Sequence, residues 1–299
     1  MNTMDIKDSK EYDLLRAHPN EIKLYWSEKE KKHLGFVRIV DVMPRVVPKG
    51  RTGDIAVVQG ARISYGSTDL RSKKADDGLV NYLVEHYHTS PLELASVKFI
   101  CSCPLYVFNQ LVRHRTAKLN CTSRRYTKID EETFFVPEPR LQDTVNNKQG
   151  SLDAPVPEIA QRSYQALYQK AEDIYKEYDD AVKNGIAKEI ARGAMPQNIM
   201  TEFVWKSDLH NFIKMVRLRV HPTAQKEIRD LAEAMKELVK PMFPAVFGAF
   251  EKFWLNSISF SPDEIESIKK GRDENGNYTG ITSKRRKTDF NKKINLLGL

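Results

Sequence analysis

A mostly apolar run, residues 94–103, stops at Pro104. Behind it the chain delivers Arg113-His114-Arg115 and then, after seven more residues, Ser123-Arg124-Arg125. The apolar run is rich in Val, Phe, Ile and Cys, which suits a strand. Proline is tolerated in the first turn of a helix, so a helix is predicted over 105–112, with the Arg-His-Arg triplet at its C-terminal end. Asn120, Cys121, Thr122 and Ser123 are poor interior helix formers, so irregular backbone is expected beyond it. A basic run is most often a solvated face. This one follows a segment that looks buried, and neutral hydrogen-bonding groups interleave its charges. Arginine recognises phosphate through a planar fork, and histidine adds a ring that stacks or shares a proton near neutral pH. The run therefore suits a dianionic phosphate or a pyrophosphate.

Size and composition permit a full core around such a site. The chain has 299 residues, 40% hydrophobic and 29% charged, an ordinary globular balance. No apolar run approaches the roughly 18–20 residues that span a bilayer. Residues 1–30 are polar, with no apolar signal core, so cytoplasmic residence and no membrane partner are expected. The net charge of +8 suits anionic partners, although part of it lies in the tail. Three cysteines, Cys101, Cys103 and Cys121, build no disulfide framework, and no His/Cys spacing resembles a metal site. No metal is expected.

Along the chain, residues 1–34 read as a partly helical extension, and a strand is predicted over 36–43. Helices are predicted over 55–63 and 77–88, the second broken by Thr89-Ser90-Pro91. Residues 139–156 read as a loop. A helix over 159–182 carries Tyr164, Leu167, Tyr168, Ala171, Ile174, Tyr175 and Tyr178 on one face, an aromatic stripe expected in the core; Asn184-Gly185 ends it. Further helices are predicted over 186–195, 209–218 and 224–239. Residues 271–282 read as a linker to a short basic helix.

Four other segments accompany the basic run. They are Ala61-Arg62-Ile63-Ser64, the stretch from His88 through Ser90 and Pro91 to Glu93, Glu189-Ile190-Ala191-Arg192 with Pro196, and Leu218-Arg219 followed by Ala224-Gln225-Lys226-Glu227-Ile228. Singly they have bland explanations; a histidine pair at a helix end usually caps or packs. In this order and spacing, together with Gln110 and the Arg-His-Arg-x7-Ser motif, they resemble the flavin-dependent thymidylate synthases. The resemblance runs from about Gly35 to Phe250.

That resemblance implies an α+β fold. A catalytic domain over 35–270, with a central sheet flanked by helices, would lie between an N-terminal extension (1–34) and a linker and basic tail (271–299). It implies a methyltransferase that converts dUMP to dTMP, with bound FAD, and with NADPH and 5,10-methylenetetrahydrofolate as co-substrates. The implied assembly is a homotetramer with each flavin between subunits. dUMP is expected at Gln110, Arg113, Ser123, Arg124, Arg125, Arg192 and Arg219. FAD is expected at His88, Ser90, Arg113, His114, Arg115, Cys121, Asp208, His210 and Lys214. Arg219 is the expected catalytic residue. A fixed cation beside the pyrimidine favours ionisation at N3, which activates carbon 5 without a cysteine adding at carbon 6.

The chain departs from the family pattern in several places. Cys121 stands where many members carry Glu, and Thr223 where His is common. Asp208, His210 and Lys214 fall where members place Asn, Arg or His against the flavin. These departures motivate an alternative, a flavin-dependent dUMP hydroxymethylase. A nucleic-acid-binding protein using residues 113–128 and the tail is a third reading. It calls for aromatics spaced for base stacking, and only Tyr126 lies in that segment.

Overall fold

Residues 96–104 alternate buried Val97, Phe99, Cys101 and Cys103 with half-exposed Ser96, Lys98, Ile100 and Ser102. Residues 200–208 do the same, burying Thr201, Phe203, Trp205 and Ser207 while Glu202, Val204 and Lys206 face outward. Successive side chains on a strand point to opposite faces, so each segment has one apolar face to cover. Paired with each other, they form the middle of the fold.

The computed structural model describes residues 11–26, 35–129, 134–145, 148–274 and 276–298. The first elements are β1 (Tyr12–Leu14), β2 (Glu21–Leu24), β3 (Gly35–Met43), β4 (Val46–Pro48), α1 (Asp54–Arg62), α2 (Lys73–Glu85), β5 (Ser96–Pro104) and α3 (Leu105–Leu111). Next come β6 (Lys118–Cys121), β7 (Leu141–Gln142), β8 (Ser151–Leu152), α4 (Glu158–Lys183), α5 (Lys188–Ala191), β9 (Met200–Asp208), α6 (Leu209–Arg219), α7 (Lys226–Val239) and α8 (Pro244–Phe250). A π turn at Glu251–Leu255, α9 (Pro262–Lys270) and α10 (Lys284–Leu297) complete the chain.

The main sheet has the order β2-β3-β5-β9-β6, with antiparallel pairing throughout. Phe99 lies opposite Trp205, and Leu119 of β6 lies opposite the other side of Trp205. The rings of Phe99, Trp205, Phe212 and Phe247 pack in sequence at centroid distances of 5.7–6.3 Å and are all buried. Helices α6 and α7 bury Phe212, Met215, Val216, Leu231, Met235 and Leu238 in the same core. The mixed helix-and-sheet architecture expected from the sequence is the one observed.

The differences are local. Residues 11–26 form strands rather than helix, because β2 pairs its alternating Glu21, Ile22, Lys23 and Leu24 against β3; the rest of 1–34 lies outside the described residues. The loop predicted over 139–156 contains the β7–β8 hairpin. The stripe on α4 divides. Tyr175 and Tyr178 enter a satellite core with Ile129 and Ile199, whereas Leu167 is 63% exposed. Gly185 takes φ of 93°, the left-handed conformation that a C-terminal cap requires.

Backbone contacts divide the chain into Met1–Phe250 and Glu251–Leu299, so the sequence-drawn boundary at 270/271 falls inside the second unit. That unit has its own small core of Ile281, Phe290 and Ile294 against Phe260, Ile268 and Tyr278. A capping box of Ser261 and Glu264 starts α9, and Lys293 of α10 pairs with Glu264 at 2.8 Å. Among the described residues no helix is long and apolar enough to cross a membrane.

Candidate active site

Helix α3 starts behind Pro104 and ends at Leu111, where the backbone turns so that His114 N–H donates to the Leu111 carbonyl. This turn points His114 at the C-terminal end of α6. There Arg219 Nε donates to His114 Nε2 at 3.0 Å, and Arg219 Nη2 donates to the Gln110 carbonyl oxygen at 2.8 Å. Three expected site residues thus meet directly. His114 Nε2 accepts, so the neutral ring carries its proton on Nδ1. Burial, then the Arg219 charge, pushes the His114 pKa down from 6.5 to about 4. Burial also lowers the pKa of Arg219. The pair is a partly desolvated guanidinium held in place by a neutral imidazole.

Behind Gln110 lies a polar chain. Gln110 Nε2 donates to Gln225 Oε1 at 2.6 Å, and Gln225 Nε2 donates to Glu227 Oε2 at 2.9 Å. Glu227 is fully buried and pairs with Arg140 at 2.6 Å, while Arg140 Nε donates to Ser151 Oγ of the β7–β8 hairpin. A cleft of about 440 Å³ opens beside this chain, lined by Tyr106, Tyr164, Tyr168, Arg140, Gln225 and Glu227 among others. The Tyr106 hydroxyl is buried there without a hydrogen-bond partner among the described residues.

A second group of expected residues sits on the turn after β6. The Arg125 N–H donates to Ser123 Oγ at 3.3 Å, and the Arg125 guanidinium pairs with Glu189 of α5 at 2.8 Å. That ion pair ties the turn to the helix whose end carries exposed Arg192. Arg124, half-buried, donates to the backbone oxygens of Lys128 and Met200, which fastens the turn to β9 and leaves three of its N–H groups unused by these bonds. Arg113, Arg115 and Arg192 have no hydrogen-bond or ion-pair partner among the described residues, and all three are exposed.

A third group lies at the other end of α6. His88 and Ser90 are exposed, and His88 stacks near Tyr82. Glu93 meets His210 at 3.3 Å. Asp208 caps α6, its carboxylate accepting from the Asn211 backbone and side chain at 2.8 Å. Lys214 is exposed one turn beyond His210. His210 and Arg219 are about two and a half helical turns apart, so they project from opposite sides of α6. Among the described contacts, none joins this third group to His114 or Arg219.

Cys121 is exposed on β6. Cys101 and Cys103 are buried on β5, and burial pushes both thiols up, so neither is a thiolate near neutral pH. Sequence reasoning missed Arg140, and it named Glu189 and Glu227 only as members of the matching segments, with no partner assigned. Glu227 carried a signal. It shares the inward face of α7 with Leu231, Ala234 and Leu238, a poor place for a carboxylate with no partner.

Helix ends and turns that present a partly desolvated guanidinium, Arg219, and exposed Arg113, Arg115 and Arg192 define a protein built to hold anionic ligands. Comparison with known proteins narrows the class. Residues 45–245 match the thymidylate synthase complementing protein family. A flavin-dependent thymidylate synthase from Dictyostelium discoideum is 38% identical over 274 residues, 91% of this chain and 88% of that protein. Another from Wolbachia pipientis wMel is 37% identical over 249 residues, 83% of this chain and 84% of that protein. Among solved structures, the UMP/dUMP methylase PolB from Streptomyces cacaoi, bound with 5-Br dUMP, aligns with a TM-score of 0.63. It is 27% identical and covers 73% of this chain and 95% of its own. The chain belongs to the thymidylate synthase complementing protein family, that of the flavin-dependent thymidylate synthases.

Proposed function

We propose that this chain methylates dUMP to dTMP reductively, using FAD with 5,10-methylenetetrahydrofolate and NADPH as co-substrates. The observation that carries the reading is the state of Arg219. Two of its five N–H bonds are used by His114 and by the Gln110 carbonyl, which leaves three for a ligand. Its charge is disfavoured by burial, so an anion beside it is strongly preferred. A pyrimidine ionised at N3 is such an anion, and a planar fork matches its carbonyl edge.

The other residues fit the remaining parts. Ser123, Arg125 and Arg192 gather at one surface and suit the nucleotide phosphate. Arg113 and Arg115 lack protein partners among the described residues and suit the FAD pyrophosphate. When bound, the flavin supplies the hydride chemistry; the chain supplies position and charge. His114 is neutral near pH 7 with Nε2 already accepting, so it orients Arg219 rather than donating a proton from that nitrogen. In the third group, His210 and Lys214 project from a different side of α6 than Arg219. A flavin touching both groups would therefore lie between two copies of the chain, which supports a homotetramer. The relatives and the solved neighbour are named for thymidylate synthesis and methylation, so the hydroxymethylase alternative is not favoured.

The test follows tritium release from carbon 5 of labelled dUMP with FAD, NADPH and methylenetetrahydrofolate, and weighs the product. The expected product is dTMP. Arg219→Ala should lower turnover roughly 100- to 1000-fold, the scale of losing a preorganised donor. Arg219→Lys should lose turnover more than dUMP affinity, since the charge stays and the fork goes. Turnover near wild type in both variants would remove Arg219 from the chemistry. A folded protein that binds no flavin would overturn the whole reading.

A further inference from the structure

We infer that Gln225, backed by Glu227 and Arg140, is a positioning device that fixes which way the Gln110 carboxamide faces. This rests on the reading of Gln110 as a nucleotide contact. A carboxamide has an accepting end and a donating end of nearly equal size, and an isolated one turns over freely. The chain behind Gln110 has a single polarity, set at its buried end. Glu227 is wholly buried and paired with Arg140, so it is a carboxylate and only accepts. Gln225 must then turn its NH2 group toward Glu227, as observed at 2.9 Å. The reverse orientation would set the amide oxygen against a carboxylate oxygen. With its nitrogen committed, Gln225 presents its oxygen to Gln110, whose Nε2 donates at 2.6 Å. Gln110 Oε1 is left as an acceptor for a ligand N–H or O–H.

The same residue is held from its other end, because its backbone carbonyl accepts from Arg219. Gln110 therefore links the catalytic guanidinium to a buried charge through bonds of fixed direction. The base of the device comes from the β7–β8 region, far away in sequence, where Ser151 holds the Arg140 guanidinium. This gives the hairpin, which the sequence presents as an unremarked loop, a share in nucleotide recognition without touching the nucleotide.

The experiment is a double-mutant cycle on the purified full-length protein with flavin bound, reading dUMP affinity by calorimetry. Gln225 is exposed at the start of α7 and its side chain makes no cap, so Gln225→Met leaves the helix intact. Gln225→Met should weaken dUMP binding roughly three- to tenfold, the worth of one oriented hydrogen bond. In a Gln110→Ala background the same change should cost nothing, because Gln225 acts only through Gln110. A merely structural Gln225 would cost the same in both backgrounds. Unchanged affinity in Gln225→Met, or an equal loss in both backgrounds, overturns the relay and leaves the enzyme reading standing. Failure of the wild type to bind dUMP overturns that reading itself.

Discussion

At the scale of single residues, the contact between Arg219 and His114 makes a pH prediction. In the folded protein burial and the neighbouring charge hold the His114 ring neutral until about pH 4, against an ordinary value of 6.5. The unfolded chain therefore takes up a proton in that interval that the folded chain refuses, and acidification from 6.5 toward 4 favours unfolding. NMR titration of the ring should show a depressed pKa that moves back up in Arg219→Ala, where both the charge and part of the burial are lost. An identical titration in the two proteins would exclude the contact. Much of this site was legible in the sequence, because arginines and a histidine at fixed spacing carry their chemistry with them. Arg124 shows the limit. It is as cationic as its neighbours, yet backbone carbonyls of Lys128 and Met200 take two of its N–H groups. Nothing in a one-dimensional pattern shows which arginine also braces the backbone.

At the scale of elements, the fold depends on how helix ends are held. Buried Asp54, at the start of α1, accepts backbone N–H bonds from Ala245 and Val246 at the start of α8 and a hydroxyl bond from Thr52. Removing it takes the acceptor from one buried backbone donor, Val246, from one half-buried donor, Ala245, and from the Thr52 hydroxyl. Asp54→Ala should cost about 1–3 kcal/mol each way one counts the lost acceptor, and should lower the thermal midpoint by several degrees. An unchanged midpoint would show that water satisfies α8 instead. Sequence reading found β3, β5, α6 and α7 because their apolar positions recur at clear periods. It passed over β9, although Thr201, Phe203, Trp205 and Ser207 alternate with polar neighbours as a half-buried strand should. The charged Glu202 and Lys206 on its open face dilute the signal. It also passed over the Ser261-to-Glu264 capping box, which was readable in four letters. The hairpin at β7–β8 had no such cue, since two-residue strands leave no period to detect.

At the scale of the molecule, the position of β6 matters more than its sequence. It is the last strand of the sheet, all four of its residues are exposed, and β9 alone pairs with it among the named strands. It also connects the Arg-His-Arg turn to Ser123 and Arg125. A strand with one ladder and no burial opens at little cost, so its amides meet solvent often. Hydrogen–deuterium exchange across residues 118–121 should be fast in the free protein, while β5 stays protected. Adding dUMP and FAD should slow exchange at β6 and leave β5 as it was. Slow exchange before any ligand is added would contradict this. The strand that leads into Ser123, the proposed phosphate contact, is thus held by one ladder and by no buried side chain of its own. The exchange experiment therefore reads whether the site finishes assembling as its proposed ligands arrive.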